Sequence, residues 1–131
     1  MLDFFFFSRK REKSFGLVSW GRRFVKGPYG EPWNYEIVEK WIDKLSDLKI
    51  QVISLSDTIG TAVPDDIFNI FSNIIPRYIQ VEFGAHFHTR PDDWFKKIDS
   101  AFRAGCKRFD GAIQGFGGCP MAKDELTGNL P

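Results

Sequence analysis

Two short segments near the C-terminal end of the chain carry the residue types that could do chemistry. The first contains His86 and His88, which are the only histidines in the sequence. Side chains two positions apart on a strand point to the same face, so these imidazoles can converge on one metal ion or one substrate. The second is a glycine-rich run at residues 115–120, which places Cys119 on a loop and is followed by Asn129. A histidine pair, a thiol and an amide in successive segments predict a single site.

Several ligand sets remain open for this site. Neutral imidazoles completed by a carboxylate, an amide and water suit Mg²⁺ or Mn²⁺, whereas a bound Cys119 thiolate would favour zinc. Cys119 fits either a catalytic residue on a functional loop or a small buried side chain, and Cys106 is best explained by packing. Asp57 ends an earlier apolar run and could be a ligand, a supporting partner or a strand-end cap.

Composition narrows the class of protein. The chain has 131 residues, of which 43% are hydrophobic, as expected for one globular domain. Its net charge of +1 gives no electrostatic reason to expect a nucleic acid or an anionic membrane as partner. Two cysteines form no disulfide framework and suit a reducing compartment. The apolar run at residues 4–7 is too short to span a bilayer, so we predict a cytoplasmic chain with no membrane segment.

Three segments have the apolar periodicity of amphipathic helices. Their apolar residues are Ile37, Trp41, Leu45 and Leu48 in the first, Ile67, Ile70, Phe71 and Ile74 in the second, and Trp94, Ile98, Ala101 and Phe102 in the third. Pro64 lies just ahead of the second helix, where proline is tolerated, and Gly105 closes the third.

Short apolar segments alternate with these helices and are predicted to be strands, at residues 17–20, 50–56, 78–83 and 106–113. Alternation of this kind predicts an α/β fold with a parallel sheet. Asp57, the histidine pair and the glycine-rich run then all lie at carboxyl ends of strands. That edge of a parallel sheet is where α/β folds place their ligands.

Taken together, three motifs resemble the hydroxymethylglutaryl-CoA lyase family, a group of metal-dependent lyases built on a TIM barrel. They are Ser-Asp-Thr-Ile-Gly at residues 56–60, His-Phe-His at residues 86–88, and Gly-Phe-Gly-Gly-Cys-Pro at residues 115–120 with Gly-Asn at residues 128–129. The glycine–cysteine run is the most specific, because the condensing relatives in the wider family lack that loop. The resemblance covers roughly residues 27–131 and implies part of a (β/α)8 barrel, approximately its second half.

The resemblance implies cleavage of 3-hydroxy-3-methylglutaryl-CoA to acetyl-CoA and acetoacetate with Mg or Mn as cofactor. By that resemblance His86, His88 and Asn129 are metal ligands, and His86 also transfers a proton. Cys119 is the acid/base of the loop, and Asp57 is a supporting group counted with the catalytic residues. The expected partner is an acyl-CoA substrate.

The same comparison shows what the chain does not match. A complete barrel has eight βα units and typically about 250 residues, and the family's metal-binding aspartate has no counterpart here. Residues 1–26 do not resemble the family and are interpreted as an atypical segment of out-of-frame or foreign origin. We therefore expect a fragment that is inactive alone. Two alternatives are a half-barrel assembly module, which would form a homo-oligomer, and a non-catalytic zinc-binding module.

Overall fold

The fold alternates parallel strands with helices. The computed structural model describes residues 15–19, 35–57, 60–117 and 128–131. This part of the chain contains five strands and three α-helices. In chain order they are β1 Phe15–Ser19, α1 Tyr35–Asp47, β2 Val52–Asp57, α2 Pro64–Ile74, β3 Glu82–Thr89, α3 Trp94–Arg103, β4 Arg108–Asp110, a 3₁₀ turn at Ile113–Gly115, and β5 Gly128–Asn129. None of these described helices combines the length and the apolar character that crossing a bilayer requires.

The sheet follows the order of the chain. β1, β2, β3 and β4 are hydrogen-bonded one after another and all run parallel. β5 pairs antiparallel with the end of β3, where Asn129 lies opposite His88. Parallel strands in sequential order, with helices between β1, β2, β3 and β4, have the connectivity of a (β/α)8 barrel. The predicted α/β class with a parallel sheet is confirmed.

One face of the sheet packs against the helices and forms the core. This face carries alternate residues of β2 and β3, namely Ile53, Leu55, Phe83, Ala85 and Phe87. Because strand side chains alternate between faces, the residues between them, including both histidines, lie on the opposite face. The core therefore fixes the strand register that aims the histidine pair away from the helices.

The helix predicted around residues 67–74 is confirmed as α2. Its four predicted apolar residues, Ile67, Ile70, Phe71 and Ile74, are all buried. Pro64 stands in the first turn, where its missing N–H costs nothing. The Phe71 ring meets Phe87 of β3 edge-on with 6.5 Å between ring centres, so α2 and β3 share one contact layer.

The apolar stripe predicted for α1 is partly wrong: Leu45 is buried as predicted, but the other buried positions lie one residue after Ile37 and Trp41. The buried residues are Val38, Ile42 and Leu45, which have helical spacing of their own. Trp41 is only partly buried against the core, and Leu48 is 66% exposed. The helix ends one residue before Leu48, which therefore lies in the turn leading to β2.

The stripe predicted for α3 is also partly wrong. Phe102 is 52% exposed, whereas Lys97 is buried beside Ala101 on the inner side of the helix. A lysine is normally assigned to the solvent-exposed side of a helix, and no neighbouring residue in the sequence indicates that Lys97 is buried. Gly105 does close the helix as predicted, with a φ of +103° that a side chain would strain.

The strand predicted at residues 78–83 was wrong in position. Tyr78 and Val81 form a turn, in which the Val81 N–H donates to the Tyr78 carbonyl at 2.9 Å. Tyr78 is buried, and its hydroxyl donates to Asp43 of α1 at 2.7 Å. This apolar residue therefore belongs to a turn that packs on a helix and not to a strand. β3 begins at Glu82 and continues through both histidines.

The remaining strands lie close to their predicted positions. β2 is shifted by one or two residues from the predicted 50–56, and β4 occupies only the middle of the predicted 106–113. β1 includes most of the predicted 17–20, and Trp20 is outside the described residues. Of the atypical segment predicted at residues 1–26 only β1 is described, so its boundary stays a prediction.

Candidate functional site

The candidate site lies where β3, β4 and β5 meet. His86 and His88 project from the same face of β3, and their ring centres are 5.3 Å apart with the planes nearly perpendicular. In the strand register His86 is opposite Asp110 of β4, and His88 is opposite Asn129 of β5. The fold thus brings three of the residues predicted to bind metal to one edge of the sheet.

His88 is held in one tautomer by the backbone. Its side chain is buried, and Nδ1 lies 3.1 Å from the carbonyl oxygen of Asp57 at the end of β2. A carbonyl oxygen can only accept a hydrogen bond, so Nδ1 must carry the proton. The lone pair of Nε2 is then available to a metal ion, which is the usual arrangement of a ligating histidine.

His86 is only partly buried and differs electrostatically from its neighbour. Burial and the proximity of His88 lower the pKa of His86 below its ordinary value, and the Asp110 carboxylate opposes this shift. The lowered pKa keeps His86 neutral at physiological pH. A neutral imidazole can bind a cation or accept a proton from a hydroxyl group.

Asn129 presents an oxygen because its amide nitrogen is already bonded. Nδ2 donates to the carbonyl of Phe116 at 2.8 Å, and among the described residues no hydrogen bond to Oδ1 competes with its role as an acceptor. Gly117 has a φ of +88°, and a Cβ at this position would be 2.9 Å from Nδ2 of Asn129. The glycine-rich run is therefore shaped to let the backbone approach the amide closely.

Asp57 has its carboxylate turned away from the histidines. The side chain is fully buried, and its oxygens accept the N–H groups of Thr61 at 3.0 Å and Ala62 at 2.8 Å. The Lys97 ammonium lies 3.3 Å away. Burial raises the pKa of the Asp57 carboxyl, while Lys97 and the two N–H groups act against the rise. Asp57 thus reaches the site through its carbonyl group, and its predicted catalytic role stays a prediction.

The two cysteines stand differently in the structure. Cys119, predicted as the acid/base of the loop, lies outside the described residues. Cys106 is buried, and its thiol lies 3.2 Å from the carbonyl of Arg108 as a donor. Burial raises the pKa of Cys106 to about 11, so the thiol stays protonated and unreactive at neutral pH. Cys106 is structural, in keeping with its sequence interpretation.

Asp110 is a site residue that the sequence reasoning missed. The Ser54 hydroxyl donates to Oδ2 of Asp110 at 2.6 Å, although the two residues belong to β2 and β4. β3 runs between them, and the bond passes over Gly84, where no side chain intervenes. The sequence did offer one indication of Asp110: it is an acidic residue in a predicted strand that follows the histidine-bearing segment.

Replacing Gly84 with alanine is expected to destabilise the fold by about 1–3 kcal/mol, the usual cost of overpacking. A Cβ at Gly84 would be 2.6 Å from the Ser54 hydroxyl and 3.0 Å from Cδ of Arg108. Urea unfolding of G84A measures the cost. The matched control is the same change in an S54A background, where most of the clash is gone and the cost should fall. An equal cost in both backgrounds would contradict the close approach described here.

The donor set fits a divalent cation. Three groups keep a lone pair that could bind a cation: Nε2 of His88, the neutral ring of His86 and Oδ1 of Asn129. At His88 and Asn129 this follows because the N–H groups of the same side chains donate to backbone carbonyls. Within the described residues, no group of three His, Cys, Asp or Glu side chains is arranged to hold a metal. The candidate donors in this part of the chain are thus two imidazoles and an amide, with the Asp110 carboxylate opposite His86.

Comparison with known proteins gives consistent relatives. No protein-family model matches the chain. It is 28% identical over 105 residues to a hydroxymethylglutaryl-CoA lyase of Bacillus subtilis, covering 77% of this chain and 35% of that protein. It is 33% identical over 84 residues to the (R)-citramalyl-CoA lyase of Chloroflexus aurantiacus, covering 64% of this chain and 26% of that one.

A solved structure shows the same relationship. The crystal structure of an HMG-CoA lyase from Acinetobacter baumannii, in complex with coenzyme A and 3-methylmalate, superimposes with a TM-score of 0.72 at 29% identity. The match covers 88% of this chain and 37% of that chain. The chain spans about a third of the length of the curated relatives it matches.

Proposed function

Because the chain belongs to the hydroxymethylglutaryl-CoA lyase family, we propose that it carries part of the active site of a carbon–carbon lyase. The sheet β1–β4 is part of the (β/α)8 barrel of that family. The proposed reaction cleaves 3-hydroxy-3-methylglutaryl-CoA to acetyl-CoA and acetoacetate. One observation carries the proposal: His86 and His88 share a face of β3 with Asn129 opposite His88, and no described hydrogen bond uses their remaining acceptor atoms.

The proposed cofactor is Mg²⁺ or Mn²⁺, held by His86, His88 and Asn129. When bound, such an ion orients the substrate and lowers the pKa of its C3 hydroxyl group. The donor set supports this choice, because neutral nitrogen and amide oxygen atoms suit a hard or borderline dication. The described carboxylate opposite His86 belongs to Asp110, whose Oδ2 accepts the Ser54 hydroxyl. Among the described residues it does not complete a group of three His, Cys, Asp or Glu side chains that could hold the ion.

The proposed chemistry begins from the neutral imidazole of His86, whose pKa is lowered by burial. The neutral His86 ring has one lone pair, which would hold the ion before the reaction and accept the proton of the C3 hydroxyl during it. The C2–C3 bond breaks as the C3 oxygen becomes the ketone of acetoacetate. The bonding electrons remain on the acetyl-CoA carbon as an enolate, which takes a proton from the Cys119 thiol. His88 is fixed by the Asp57 carbonyl and so serves as a ligand.

The substrate class is proposed to be an acyl-CoA. The named relatives support this class, since one is a lyase of hydroxymethylglutaryl-CoA and another of (R)-citramalyl-CoA. The A. baumannii structure contains coenzyme A. Both named substrates share the thioester, and the acyl group distinguishes them. A cytoplasmic location stays a prediction.

The proposal is tested by metal removal. We expect the chain, expressed with its flanking coding sequence, to release acetoacetate from hydroxymethylglutaryl-CoA. EDTA should abolish this release and added Mn²⁺ or Mg²⁺ should restore it, with (R)-citramalyl-CoA assayed in parallel. Activity that is unchanged in EDTA would rule out the metal-dependent mechanism. Tight zinc binding without turnover would instead identify the metal-binding module, and a stable oligomer without metal affinity the assembly module.

A further inference from the structure

Lys97 is a buried charge that the proposed chemistry does not use. It lies in the middle of α3, and only 2% of its side chain is exposed. Its ammonium group lies 2.9 Å from the Gly60 carbonyl, 3.2 Å from the His88 carbonyl and 3.3 Å from Oδ2 of Asp57. Asp93, one turn earlier on the chain, is 3.5 Å away. The three N–H donors thus meet acceptors from three separate elements.

A buried ammonium group persists only where its charge and its donors are satisfied, because taking an ion out of water costs several kcal/mol. Asp57 supplies the buried opposite charge. Its other contacts, the N–H groups of Thr61 and Ala62, hold the turn that follows β2. Lys97 therefore anchors α3 to this turn through the Asp57 carboxylate and the Gly60 carbonyl.

The same ammonium closes a ring of contacts around His88. Lys97 bonds the His88 carbonyl and the Asp57 carboxylate, and the His88 ring donates to the Asp57 carbonyl. These contacts fix the ends of β2 and β3 relative to each other from the helix side of the sheet. They do so at His88, whose Nε2 is proposed to bind the metal. Of these groups only the His88 imidazole lies on the face of the proposed site, because Asp57 and Lys97 lie on the helix side of the sheet.

We propose that Lys97 is a positioning residue, which holds Asp57 and His88 so that the His88 ring keeps its proton on Nδ1. The purpose of this arrangement rests on the proposed function. The contacts of Lys97, Asp57 and His88 themselves involve neither metal nor substrate. The Asp57 carboxylate is thereby assigned to Lys97 rather than to the reaction.

The test uses the two histidines as reporters. Since the chain has only two, long-range proton–nitrogen NMR spectra resolve each ring, and H86Q assigns them. We expect His88 in the native chain to be the Nδ1–H tautomer. In K97M that tautomer should cease to be the main form, as in a free imidazole. K96M is the matched control, because Lys96 is the exposed neighbour and should leave the spectrum unchanged.

If K97M does not fold, the same spectrum is recorded for the double variant D57N/K97M, which leaves no unpaired buried charge. The Nδ1–H tautomer retained by either folded variant would overturn the proposal. Loss of folding in both, with K96M folded, would also overturn it, since Lys97 would then be needed for folding rather than positioning. Mn²⁺ titration of the chain expressed with its flanking coding sequence separates the two proposals. A lost tautomer with unchanged metal affinity supports positioning and counts against the metal role of His88.

Discussion

Replacing His86 with alanine is expected to reduce lyase turnover further than replacing His88, by up to about 10²–10⁴-fold, the typical contribution of a proton-transfer residue. Each change removes one proposed metal ligand. Only H86A also removes a proton acceptor, because the His88 ring is buried with Nδ1 bound to the Asp57 carbonyl. His86 is partly exposed, and its lowered pKa keeps it ready to accept a proton.

The measurement is kcat for both alanine variants of the chain expressed with its flanking coding sequence, with Mn²⁺ at saturation. H86N is the informative control, because an amide oxygen can bind a metal but cannot transfer a proton in this pH range. We expect H86N to recover Mn²⁺ affinity and to remain slow. Equal losses in H86A and H88A, or a fast H86N, would leave the second role of His86 unsupported.

The parts of this fold that could be predicted from sequence are those set by neighbouring residues. The α2 stripe ending at Ile74 and the closing Gly105 depend on contacts or torsions within a few positions. The common face of His86 and His88 follows from the period of a strand alone. These features required no knowledge of what the strands pack against.

The features that were missed depend on distant partners. Lys97 is buried because Asp57, Gly60 and His88 converge on it from β2, its loop and β3. The Ser54–Asp110 bond requires three strands in register with no side chain between them. Local spacing does not encode such convergence, so a lysine is assigned to solvent and an aspartate to a strand end.

The 131-residue chain by itself is expected to show no measurable lyase turnover, even with excess Mg²⁺ or Mn²⁺. The three proposed ligands, His86, His88 and Asn129, are neutral and are expected to bind a hard dication weakly, because carboxylate oxygen usually completes its shell. The carboxylate opposite His86, on Asp110, accepts the Ser54 hydroxyl with Oδ2 and pairs with Arg108 through Oδ1. Poor metal affinity alone would therefore remove most of the activity.

A partial barrel adds a second reason for inactivity. Catalysis requires reacting groups to be held within a fraction of an ångström and shielded from water. A chain that spans about a third of its relatives' length does not provide this enclosure. Unpaired strand edges favour self-association.

The experiment measures acetyl-CoA formation and light scattering on the purified chain, with the B. subtilis lyase assayed alongside. The two histidine resonances confirm that the sample is folded. Folded protein without turnover would show that the histidine pair alone is not sufficient, because it would be in place while the carboxylate and the closed barrel were not. Turnover close to that of the complete lyase would show that these four strands supply everything the reaction needs.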